Sequence, residues 1–586
     1  MCNNGKVFKV YHFISINMDK ELKHLAKKYA LQNAVKFNGT ANMGNVLGKI
    51  LGEHPEYKQD IKHLQLVINA IVKEVNAFSP DEQKCQLTVL APELVGEQKK
   101  EEKHGLKELP HHPSGEKATF RFAPSPSGPL HIGHAYVISL NSLYAKKYKG
   151  RFILRIEDTN PENIYPDAYE MIETDARWLT NNNINEVIVQ SDRMELYYKY
   201  ALQLLEEGHA YVCLCDSEQF RKLSQNMEAC PCRNNDTDEN VKRWEFMLST
   251  YKQGEAVVRF KTDIAHKNPA MRDFPILRIN ETPHPRQGEK YRIWPLMNFS
   301  VAIDDMDLGV THALRGKDHA DNAKRQEFIH KALNVDTPIP ISVGRINFTG
   351  TSVEVSCSKT RAMIEKGDFE GWEDIRLPFV GALRRRGYQP EAFQKYATEI
   401  GISTADKTVD IAEFFKTINS FNKEIIDPIS NRYFFIKDPV EVKIKNAVHK
   451  HVRMDLHSET KKGGRTFETT DVFYLAKEDV HEFASDEMYR LMDCLNFMKK
   501  GKEYVFMSED YETYKKNGKK IMHWLPKNNK LIDVEVLMPD NTVAKGFGEE
   551  AVAELEVGAI VQFERFGFCR LDSIDGNVYK FWFCHR

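Results

Sequence analysis

Several features that would place the chain in a specialised class are missing from its sequence. No stretch approaches about 18 uninterrupted apolar residues, so a transmembrane helix is excluded. Only 10 of the 586 residues are cysteine, and no small-residue cleavage site follows the first apolar residues, which argues against a secreted disulfide scaffold. Hydrophobic residues make up 41% and charged residues 28% of the chain, which excludes collagen-like and wholly disordered classes. We expect a globular protein of the reducing cytoplasm that does not enter a membrane.

An excess of charge of one sign is also lacking. The 82 basic and 84 acidic residues leave a net charge of −2. Because nucleic-acid binding depends on where charge lies, this balance neither favours nor excludes such a partner. The length corresponds to about four domains at roughly 100–200 residues each.

Apolar spacing divides the chain into parts of different structure. Residues 18–97 show the three- and four-residue repeat of helices, and 98–117 form a charged linker with prolines. From residue 118 the pattern changes to strand, helix, strand, which indicates a βαβ unit and therefore a parallel sheet. Helices are predicted over 361–432, and short alternating runs from 433 onward predict antiparallel barrels.

A histidine pair marks the start of the helix in this βαβ unit. The loop before the helix contains Gly128, and the helix opens with His131, Gly133 and His134. Free backbone N–H groups and the helix dipole attract phosphate at such a place, and glycines allow a ligand to approach closely. Both imidazoles share one helix face, where they can donate hydrogen bonds to a phosphoryl group in a transition state. Taken alone, two surface histidines near a helix start would be the commoner explanation.

A lysine far downstream adds to this pattern. Ser358 and Lys359 lie in a segment of small residues just before a predicted helix, and alone this segment would be better explained as a solvated surface loop. Together with the histidine pair, it resembles the two signatures of class I aminoacyl-tRNA synthetases. The HIGH signature is complete, whereas the KMSKS signature lacks its first lysine and keeps the central Ser-Lys pair.

Further motifs are similar to those of one family within this class, the glutamyl-tRNA synthetases. These motifs are RFAPSPSG at 121–128, LRIEDTN at 154–160, GVTHALRG at 309–316, LRRRG at 383–387 and IDPISNRYF at 426–434. The resemblance runs from the helical N-terminal part to the last strand. It is closest to the archaeal type, because the anticodon domain of bacterial members is helical.

The resemblance implies a two-step reaction. ATP, accompanied by Mg²⁺, would activate L-glutamate to glutamyl-adenylate, and the glutamyl group would pass to the 3′-terminal adenosine of tRNA(Glu), with tRNA(Gln) as an open second acceptor. The residues implied are His131, His134 and Lys359 for catalysis, and Gly128, His131, Gly133, His134, Ser358 and Lys359 for ATP binding. A glutaminyl-tRNA synthetase and a non-catalytic tRNA-binding relative are the alternatives. The second is disfavoured because all three implied catalytic residues are present.

Substrate choice would depend on arginine. A planar guanidinium binds a carboxylate through two parallel hydrogen bonds. The resemblance implies Arg121 and Arg315 for the side-chain carboxylate, Glu157 for the α-ammonium group and Ser125 as a further glutamate contact. From the sequence alone, each arginine is equally typical of a structural ion pair. Glutaminyl enzymes lack a charged residue at the position of Arg315, which favours glutamate, and Met297 stands where the family usually has tyrosine.

Four cysteines cluster in one short segment. Cys213, Cys215, Cys230 and Cys232 form two C-x-C pairs, and four thiolates suit a tetrahedral zinc ion. Disulfides are the competing explanation and are disfavoured in the cytosol. The resemblance implies one structural Zn²⁺ here, in an insertion that cradles the tRNA acceptor end.

Basic and aromatic residues are candidates for tRNA contacts. Arg384, Arg385 and Arg386 are phosphate candidates in the predicted helical region. The lysine-rich stretch 499–530 contains Trp524 among its aromatic residues, a combination that would track phosphates and stack anticodon bases. A solvated sheet edge explains these lysines equally well.

These parts predict a multidomain fold. A Rossmann-type α/β catalytic domain would carry an inserted acceptor-binding domain, with an N-terminal helical module, a helical stem-contact domain and C-terminal antiparallel β-barrels. We expect a cytoplasmic monomer. The predicted boundaries are 1–97 for the N-terminal helical tRNA-contact module, 98–117 for the linker, 118–212 and 291–360 for the halves of the catalytic domain, 213–290 for the insertion with the zinc site, 361–432 for the stem-contact helices and 433–586 for the anticodon-binding barrels.

Overall fold

The computed structural model describes residues 4–37, 39–94, 105–109, 117–350, 355–528 and 530–586. Most of the predicted linker lies outside these residues. The chain divides into two units, Met1–His104 and Gly105–Arg586. Among the described helices, none combines the length and the apolar character that crossing a bilayer requires.

The first unit is helical, as its apolar spacing predicts. It contains α1 (Asn4–Lys36), α2 (Met43–Glu53), α3 (Ile61–Asn76) and α4 (Pro80–Leu90). Helix α1 begins at Asn4 and not near residue 18, where the prediction starts the helical part. Leu31, Ile50, Ile68 and Leu87, one from each helix, are fully buried in a shared core.

The second unit opens with alternating strands and helices. In chain order these are β1 (Thr119–Phe122), α5 (Ile132–Lys147), β2 (Arg151–Ile156), α6 (Ala168–Leu179), β3 (Glu186–Val189) and α7 (Met194–Glu206). Strands β1 and β2 pair in parallel, which confirms the predicted βαβ unit. Phe120 and Phe122 pack in the core that includes α5, so Arg121 between them points to the opposite face of the sheet.

An antiparallel sheet is inserted after α7. Its elements are β4 (Ala210–Cys213), α8 (Ser217–Gln225), α9 (Thr237–Ser249), β5 (Val257–Phe260), β6 (Pro275–Ile279) and β7 (Ile293–Pro295). The four strands pair in chain order with antiparallel neighbours. The predicted boundaries 213–290 are therefore too narrow, because the first and last strands of this sheet extend beyond both.

The parallel sheet then resumes. Its further elements are α10 (Met297–Asp307), β8 (His312–Gly316), α11 (Ala320–Ala332) and β9 (Ile339–Val343). The strand order is β3-β2-β1-β8-β9, and every neighbouring pair is parallel. The chain moves outward from β1 to β3 and later outward from β8 to β9. Strands β1 and β8 therefore form a topological switch point, and ligands bind beside the carboxyl ends of such strands.

A largely helical region follows the sheet. It contains β10 (Ile346–Thr349), α12 (Cys357–Glu365), α13 (Val380–Arg386), α14 (Pro390–Ile400), β11 (Lys407–Asp410) and α15 (Ile411–Ile426). Strands β10 and β11 form a separate parallel pair. The core that contains α5 also buries Leu383, Phe393, Phe414 and Ile418 from these helices, so this region packs against the parallel sheet.

The remaining elements are mostly strands. They are β12 (Asn431–Tyr433), β13 (Phe435–Lys437), β14 (Pro439–Lys445), β15 (His451–His457), β16 (Lys461–Glu468), β17 (Val472–Ala476), α16 (Lys477–His481), β18 (Met488–Leu491), β19 (Leu495–Lys500), β20 (Glu503–Ser508), α17 (Tyr511–Asn517), β21 (Gly518–Met522), β22 (Leu525–Pro526), β23 (Ile532–Leu537), β24 (Val543–Gly548), β25 (Ile560–Phe563), β26 (Gly567–Asp575) and β27 (Val578–His585).

These strands form two closed barrels and one hairpin. The outer barrel has the order β12-β25-β26-β27-β23-β24-β13, and its end strands β12 and β13 are separated only by Phe434. One chain segment thus pairs with β25 at one end and with β24 at the other, which closes the sheet. The inner barrel, β21-β18-β19-β20-β14-β17-β22, closes in the same way through β21 and β22. Strands β15 and β16 form the hairpin.

The sequence predicts purely antiparallel barrels, but the structure contains parallel strand pairs in both. Each contains two parallel pairs, namely β12–β25 and β23–β27 in the outer barrel and β14–β20 and β18–β21 in the inner one. Alternating apolar spacing reports which residues face a core but not the direction of the neighbouring strand. The prediction of direction was therefore wrong for these pairs.

Candidate active site

The two histidines at the start of α5 form one stacked pair. Their ring centroids lie 3.7 Å apart with 21° between the planes. The Nδ1 atom of His131 accepts from the backbone N–H of Gly133 at 3.1 Å, and the Nδ1 atom of His134 accepts from the backbone N–H of His131 at 3.4 Å. Burial lowers the pKa of His131, helped by the neighbouring His134, and burial lowers the pKa of His134 to about 4. Both rings are therefore neutral at pH 7 with their proton on Nε2, from where each can donate to a phosphate oxygen.

The helix that carries the downstream lysine begins against the loop that precedes the histidine pair. A Cβ atom on Gly128 would lie 3.0 Å from both Cys357 Cβ and Trp372 Cη2. The Cys357 thiol also donates to the carbonyl oxygen of Pro129 at 3.4 Å. Gly128 therefore lets the start of α12 pack against the loop before α5, and its predicted contact with ATP stays a prediction.

Ser358 and Lys359 are both exposed in the first turn of α12 and not in a loop before it. The hydroxyl oxygens of Ser356 and Ser358 lie 3.4 Å apart. Residues 351–354, which precede this turn, lie outside the described residues. The lysine thus stands on a rigid element that begins beside the histidine loop.

Two arginines on neighbouring strands share one aspartate. Arg121 of β1 donates from Nε and Nη2 to the two carboxylate oxygens of Asp305 at 3.2 and 3.3 Å. Arg155 of β2 donates from Nη1 to Asp305 at 2.6 Å and from Nη2 to Glu157 at 3.0 Å. Burial alone would raise the pKa of Asp305, but the two guanidiniums lower it, and burial raises the pKa of Glu157 against the opposite effect of Arg155.

The pairing with Asp305 limits how Arg121 could bind a substrate carboxylate. Its Nε–Nη2 edge is occupied by Asp305, and the residue is 3% exposed. A bidentate grip on a substrate carboxylate through that edge is excluded in this arrangement. Arg121 belongs to a buried ion-pair cluster at the switch point, and its predicted contact with glutamate through another N–H group stays a prediction.

Arg315 on β8 differs from the other two arginines. Its Nη2 atom donates to the Oε1 atom of Gln326 at 2.7 Å, and none of the described carboxylates lies within 4 Å of it. Burial and the nearby Arg121 lower the pKa of Arg315 to about 10, so it stays charged at pH 7. Arg315 is the guanidinium in this region that is ready to accept an anion.

The charges around Arg315 are matched unevenly. We call the interacting groups Arg121, Arg155, Arg315, Glu157 and Asp305 the pocket cluster. Arg121 and Arg155 are paired with carboxylates of the chain, and Arg155 also lies 3.7 Å from the carboxylate of Asp304. An amino acid with an anionic side chain would give Arg315 the carboxylate partner that it lacks among the described residues, which a neutral amide would not.

The remaining predicted glutamate contact lies on the loop that follows β1. Ser125 is exposed there, and the carbonyl oxygen of the preceding Pro124 accepts from the backbone N–H of Glu157 at 2.9 Å. This bond holds the loop beside the carboxyl end of β2. Met297 is partly buried at the first position of α10.

Sequence reasoning missed the acidic residues that hold this site together. Asp305 is described above, and the adjacent Asp304 accepts from Gln190, Arg193 and Tyr197 at 2.8–2.9 Å. Both aspartates are buried on α10, in the sequence SVAIDDMDL. Two adjacent acidic residues inside an apolar helix are costly unless paired, and that was the available signal.

The four clustered cysteines converge in the inserted domain. The sulfur atoms of Cys213, Cys215 and Cys230 all lie within 4.8 Å of one another. The Cys215 and Cys232 sulfurs lie 3.9 Å apart, as do those of Cys213 and Cys230. Tetrahedral zinc with sulfur ligands requires sulfur–sulfur distances of about 3.8 Å, which the two 3.9 Å pairs match. The Cys232 sulfur does not lie within 4.8 Å of all three others, so it would have to move closer to complete a tetrahedron. The backbone N–H of Leu214 donates to the Cys232 sulfur at 3.4 Å, a contact that would stabilise a thiolate.

The three predicted phosphate-binding arginines have different environments. Arg386 is 8% exposed and donates to the carbonyl oxygens of Phe583 and Cys584, so its prediction as a tRNA contact was wrong. Arg385 forms a two-point ion pair with Asp572 at 2.7 and 2.8 Å. Arg384 is the least engaged, with Glu373 at 3.6 Å.

Trp524 is a core residue of the inner barrel. It is fully buried, and its indole N–H donates to the carbonyl oxygen of Met492 at 3.0 Å. A base cannot stack on it without opening the barrel, so the predicted contact was wrong. Among the other aromatic residues of that stretch, Tyr511 is 50% exposed and lies beneath the guanidinium of Arg490 at 5.4 Å.

Comparisons with known proteins agree with this geometry. Residues 117–428 match the family described as tRNA synthetases class I (E and Q), catalytic domain, and residues 430–507 and 521–572 match two anti-codon binding domains of that group. Curated glutamate–tRNA ligases are similar along their whole length. The protein of Methanocaldococcus jannaschii is 42% identical over 562 residues, 95% of this chain and 99% of its own length. That of Pyrococcus furiosus is 41% identical over 582 residues, 97% of this chain and 100% of its own length.

Proposed function

The chain belongs to the class I tRNA synthetases for glutamate and glutamine, in their archaeal glutamyl type, and from this membership we propose that it joins L-glutamate to tRNA(Glu) at the expense of ATP. The observation that carries the choice of glutamate is Arg315. This partly buried guanidinium has no carboxylate partner among the described residues, whereas the neighbouring Arg121 and Arg155 are both paired with Asp305.

In the first step, a carboxylate oxygen of glutamate attacks the α-phosphorus of ATP and pyrophosphate leaves. Mg²⁺ accompanies the nucleotide in this class and would offset phosphate charge. His131 and His134 donate from Nε2 to phosphate oxygens, and because their rings are neutral they orient the nucleotide without adding charge. Lys359 supplies an ammonium as charge accumulates on the leaving group.

In the second step, a hydroxyl of the terminal adenosine attacks the glutamyl carbonyl carbon and AMP leaves. No enzyme nucleophile is needed, and burial raises the pKa of the Cys357 thiol to about 11, so it stays protonated. Rate enhancement would come from holding the reacting groups together and from preset charge.

The test is a charging assay with purified tRNA(Glu) and tRNA(Gln), each with glutamate and with glutamine. We expect glutamate to be joined to tRNA(Glu) and glutamine to neither tRNA. Charging of tRNA(Gln) with glutamate would extend the proposed specificity to a second acceptor. Charging with glutamine alone would support the glutaminyl alternative, and no charging at all would support a non-catalytic tRNA-binding relative. His134→Ala serves as the inactive control for the assay.

We further propose that Cys213, Cys215, Cys230 and Cys232 hold one structural Zn²⁺. Four sulfur ligands leave no open coordination position for catalysis, and metal binding would be coupled to folding of the inserted domain. We expect about one equivalent of zinc in protein purified without chelator. Cys230→Ser should lower both the zinc content and tRNA charging, whereas Cys85→Ser, at an exposed cysteine of the first unit, should change neither. Protein without zinc but with full charging activity would contradict the proposal.

The tRNA path and the cellular setting complete the proposal. The inserted domain would hold the acceptor end of the tRNA. Arg384 and the helices around it would contact the stem, and the barrels would bind the anticodon. The first unit would supply a further tRNA contact. We propose a monomer that acts in the cytoplasm, where its tRNA and ATP are present.

A further inference from the structure

Gln326 accepts a hydrogen bond from the guanidinium of Arg315. It is on α11 and is 4% exposed, and its Oε1 atom is the hydrogen-bond acceptor for Arg315 among the described residues. Both side chains line a cleft of about 470 Å³ between α11 and strands β8 and β9. The orientation of the amide follows from chemistry, because a guanidinium has only donors and must meet the oxygen.

The partner of Arg315 is unlike the partners of the other two arginines in the pocket cluster. Arg121 and Arg155 are both paired with the carboxylate of Asp305, which cancels much of their charge. An amide fixes the position of a guanidinium equally well but leaves its charge uncompensated. The Nε2 atom of Gln326 itself has no partner among the described residues, so the amide is not held by a wider network.

We propose that Gln326 is a positioning residue that sets selectivity for an anionic amino acid by holding Arg315 with a neutral acceptor. The inference rests on the proposed glutamate specificity and adds a residue that does not touch the substrate. A carboxylate at position 326 would form an ion pair with Arg315 and compete with the substrate carboxylate. An apolar side chain there would leave the guanidinium charged but free to change its rotamer.

The experiment compares two substitutions at this position with a matched control. Gln326→Glu keeps the size of the side chain and adds a negative charge, and Gln326→Met keeps the approximate size and removes the acceptor. Glu327→Gln is the control. Its side chain lines the same cleft from the same helix, is 45% exposed and pairs with Lys331. Kinetic constants are measured for glutamate and for glutamine at saturating ATP and tRNA(Glu).

We expect Gln326→Glu to raise the KM for glutamate by about tenfold or more and to reduce the preference over glutamine by a similar factor. The kcat and the KM for ATP should change by less than about threefold, because the substituted group does not meet the reacting atoms. Gln326→Met should raise the KM for glutamate by about threefold to tenfold and keep most of the preference. The control should behave as the unmodified chain.

Two outcomes would overturn the inference. One is a Gln326→Glu variant whose preference for glutamate equals that of Glu327→Gln. The other is a loss confined to kcat and thermal stability in both variants at position 326, which a merely structural role would produce. Failure of the unmodified chain to use glutamate would instead refute the proposed function. If Gln326→Glu does not fold, the inference is tested by the KM for glutamate of Gln326→Met. A KM equal to that of the unmodified chain would reject the inference.

Discussion

The pocket cluster and a second cluster, where the β15–β16 hairpin meets the outer barrel, contain similar groups but differ in how their charges are matched. In the second, which we call the barrel cluster, Arg465 is 1% exposed and forms a two-point pair with Glu549 at 2.9 and 2.7 Å. Its third nitrogen reaches Glu564 at 3.0 Å, and Glu549 also accepts from the backbone N–H of Phe434 at 2.7 Å. Every member is satisfied by another part of the chain. The comparison shows that Arg465 is fully paired within the chain, whereas Arg315 has no carboxylate partner among the described residues.

The largest effect is expected where the pocket cluster is broken. Asp305→Asn leaves Arg121 and Arg155 buried without their shared anion, and removal of one partner from a buried ion pair costs about 3–5 kcal/mol. We expect kcat/KM for glutamate to fall by at least about 100-fold, with reduced stability against urea. Asp307→Asn on the same helix removes only a partly exposed pair with Arg193 and should change kcat/KM by less than about twofold. Near-normal kcat/KM in Asp305→Asn would show that the cluster is not part of the site.

Breaking the barrel cluster should affect stability and leave substrate use intact. Arg465→Met leaves two carboxylates facing each other with no buried cation, and we expect a loss of about 3–5 kcal/mol in the free energy of unfolding. At a temperature where the variant is folded, its KM for glutamate should equal that of the unmodified chain. Urea denaturation measures the free energy of unfolding, and steady-state kinetics measure the KM for glutamate. A raised KM for glutamate without lost stability would reverse the proposed difference between the clusters.

Substitution of Arg315 tests directly whether the arginine without a carboxylate partner recognises the substrate. Arg315→Cys should weaken glutamate use by about 2–5 kcal/mol in transition-state stabilisation and narrow the preference over glutamine. The ratio of kcat/KM values for the two amino acids is the measurement. Because Arg315 has no carboxylate partner among the described residues, stability should change little. A preserved ratio would assign side-chain recognition to another residue.

The smallest effect on stability is expected at Asp175, a buried carboxyl group without a cationic partner among the described residues. Asp175 on α6 is 3% exposed, accepts from the backbone N–H of Leu130 at 3.2 Å, and has no cation within 4 Å among the described residues. Burial raises the pKa of Asp175 from 3.8 to about 7, although Arg384 partly opposes this. The folded state therefore binds this proton more tightly than the unfolded state, and stability falls as pH rises through this interval.

The corresponding substitution is Asp175→Asn, which keeps an acceptor for Leu130. We expect it to stabilise the protein by about 2–4 kcal/mol at pH 8 and by nearly nothing at pH 4. Thermal unfolding at both pH values is the measurement. An equal gain at both values would mean that folding does not change the pKa of this carboxyl.

Much of the catalytic half was predictable because its information is local. Alternation and apolar runs placed the βαβ unit correctly, and the confirmed family followed from ordered short motifs. The partner of Arg121, by contrast, is 184 residues away in sequence. No spacing rule connects such positions, so the sequence could not show that the guanidinium is occupied. The roles assigned to His131, His134 and Lys359 stay predictions until tested.

The contacts of the barrels were less predictable, because composition does not show whether a side chain faces the core or the solvent. Trp524 and Tyr511 occur in one lysine-rich stretch, yet the first fills a core and the second is half exposed. Arg386 follows Arg384 and Arg385 in the same run, but its guanidinium donates to carbonyl oxygens of the last strand. Which of three consecutive arginines meets solvent depends on the rotation of a helix against a distant barrel, and the sequence alone does not specify that rotation.

The way the outer barrel closes has a consequence for the order in which the chain can fold. Its first segment, 431–437, is made before the whole inner barrel, 439–526, and finds its partners β24 and β25 only afterwards. During synthesis the inner barrel can complete itself before β24 and β25 are made. The earlier segment then has unpaired backbone groups, and its side chains Tyr433 and Phe435, which belong to the core of the outer barrel, are still exposed. Such a waiting strand is open to pairing with another chain. We therefore expect slow synthesis through residues 532–563 to increase aggregation of the nascent protein, a vulnerability that a barrel built from consecutive strands would avoid.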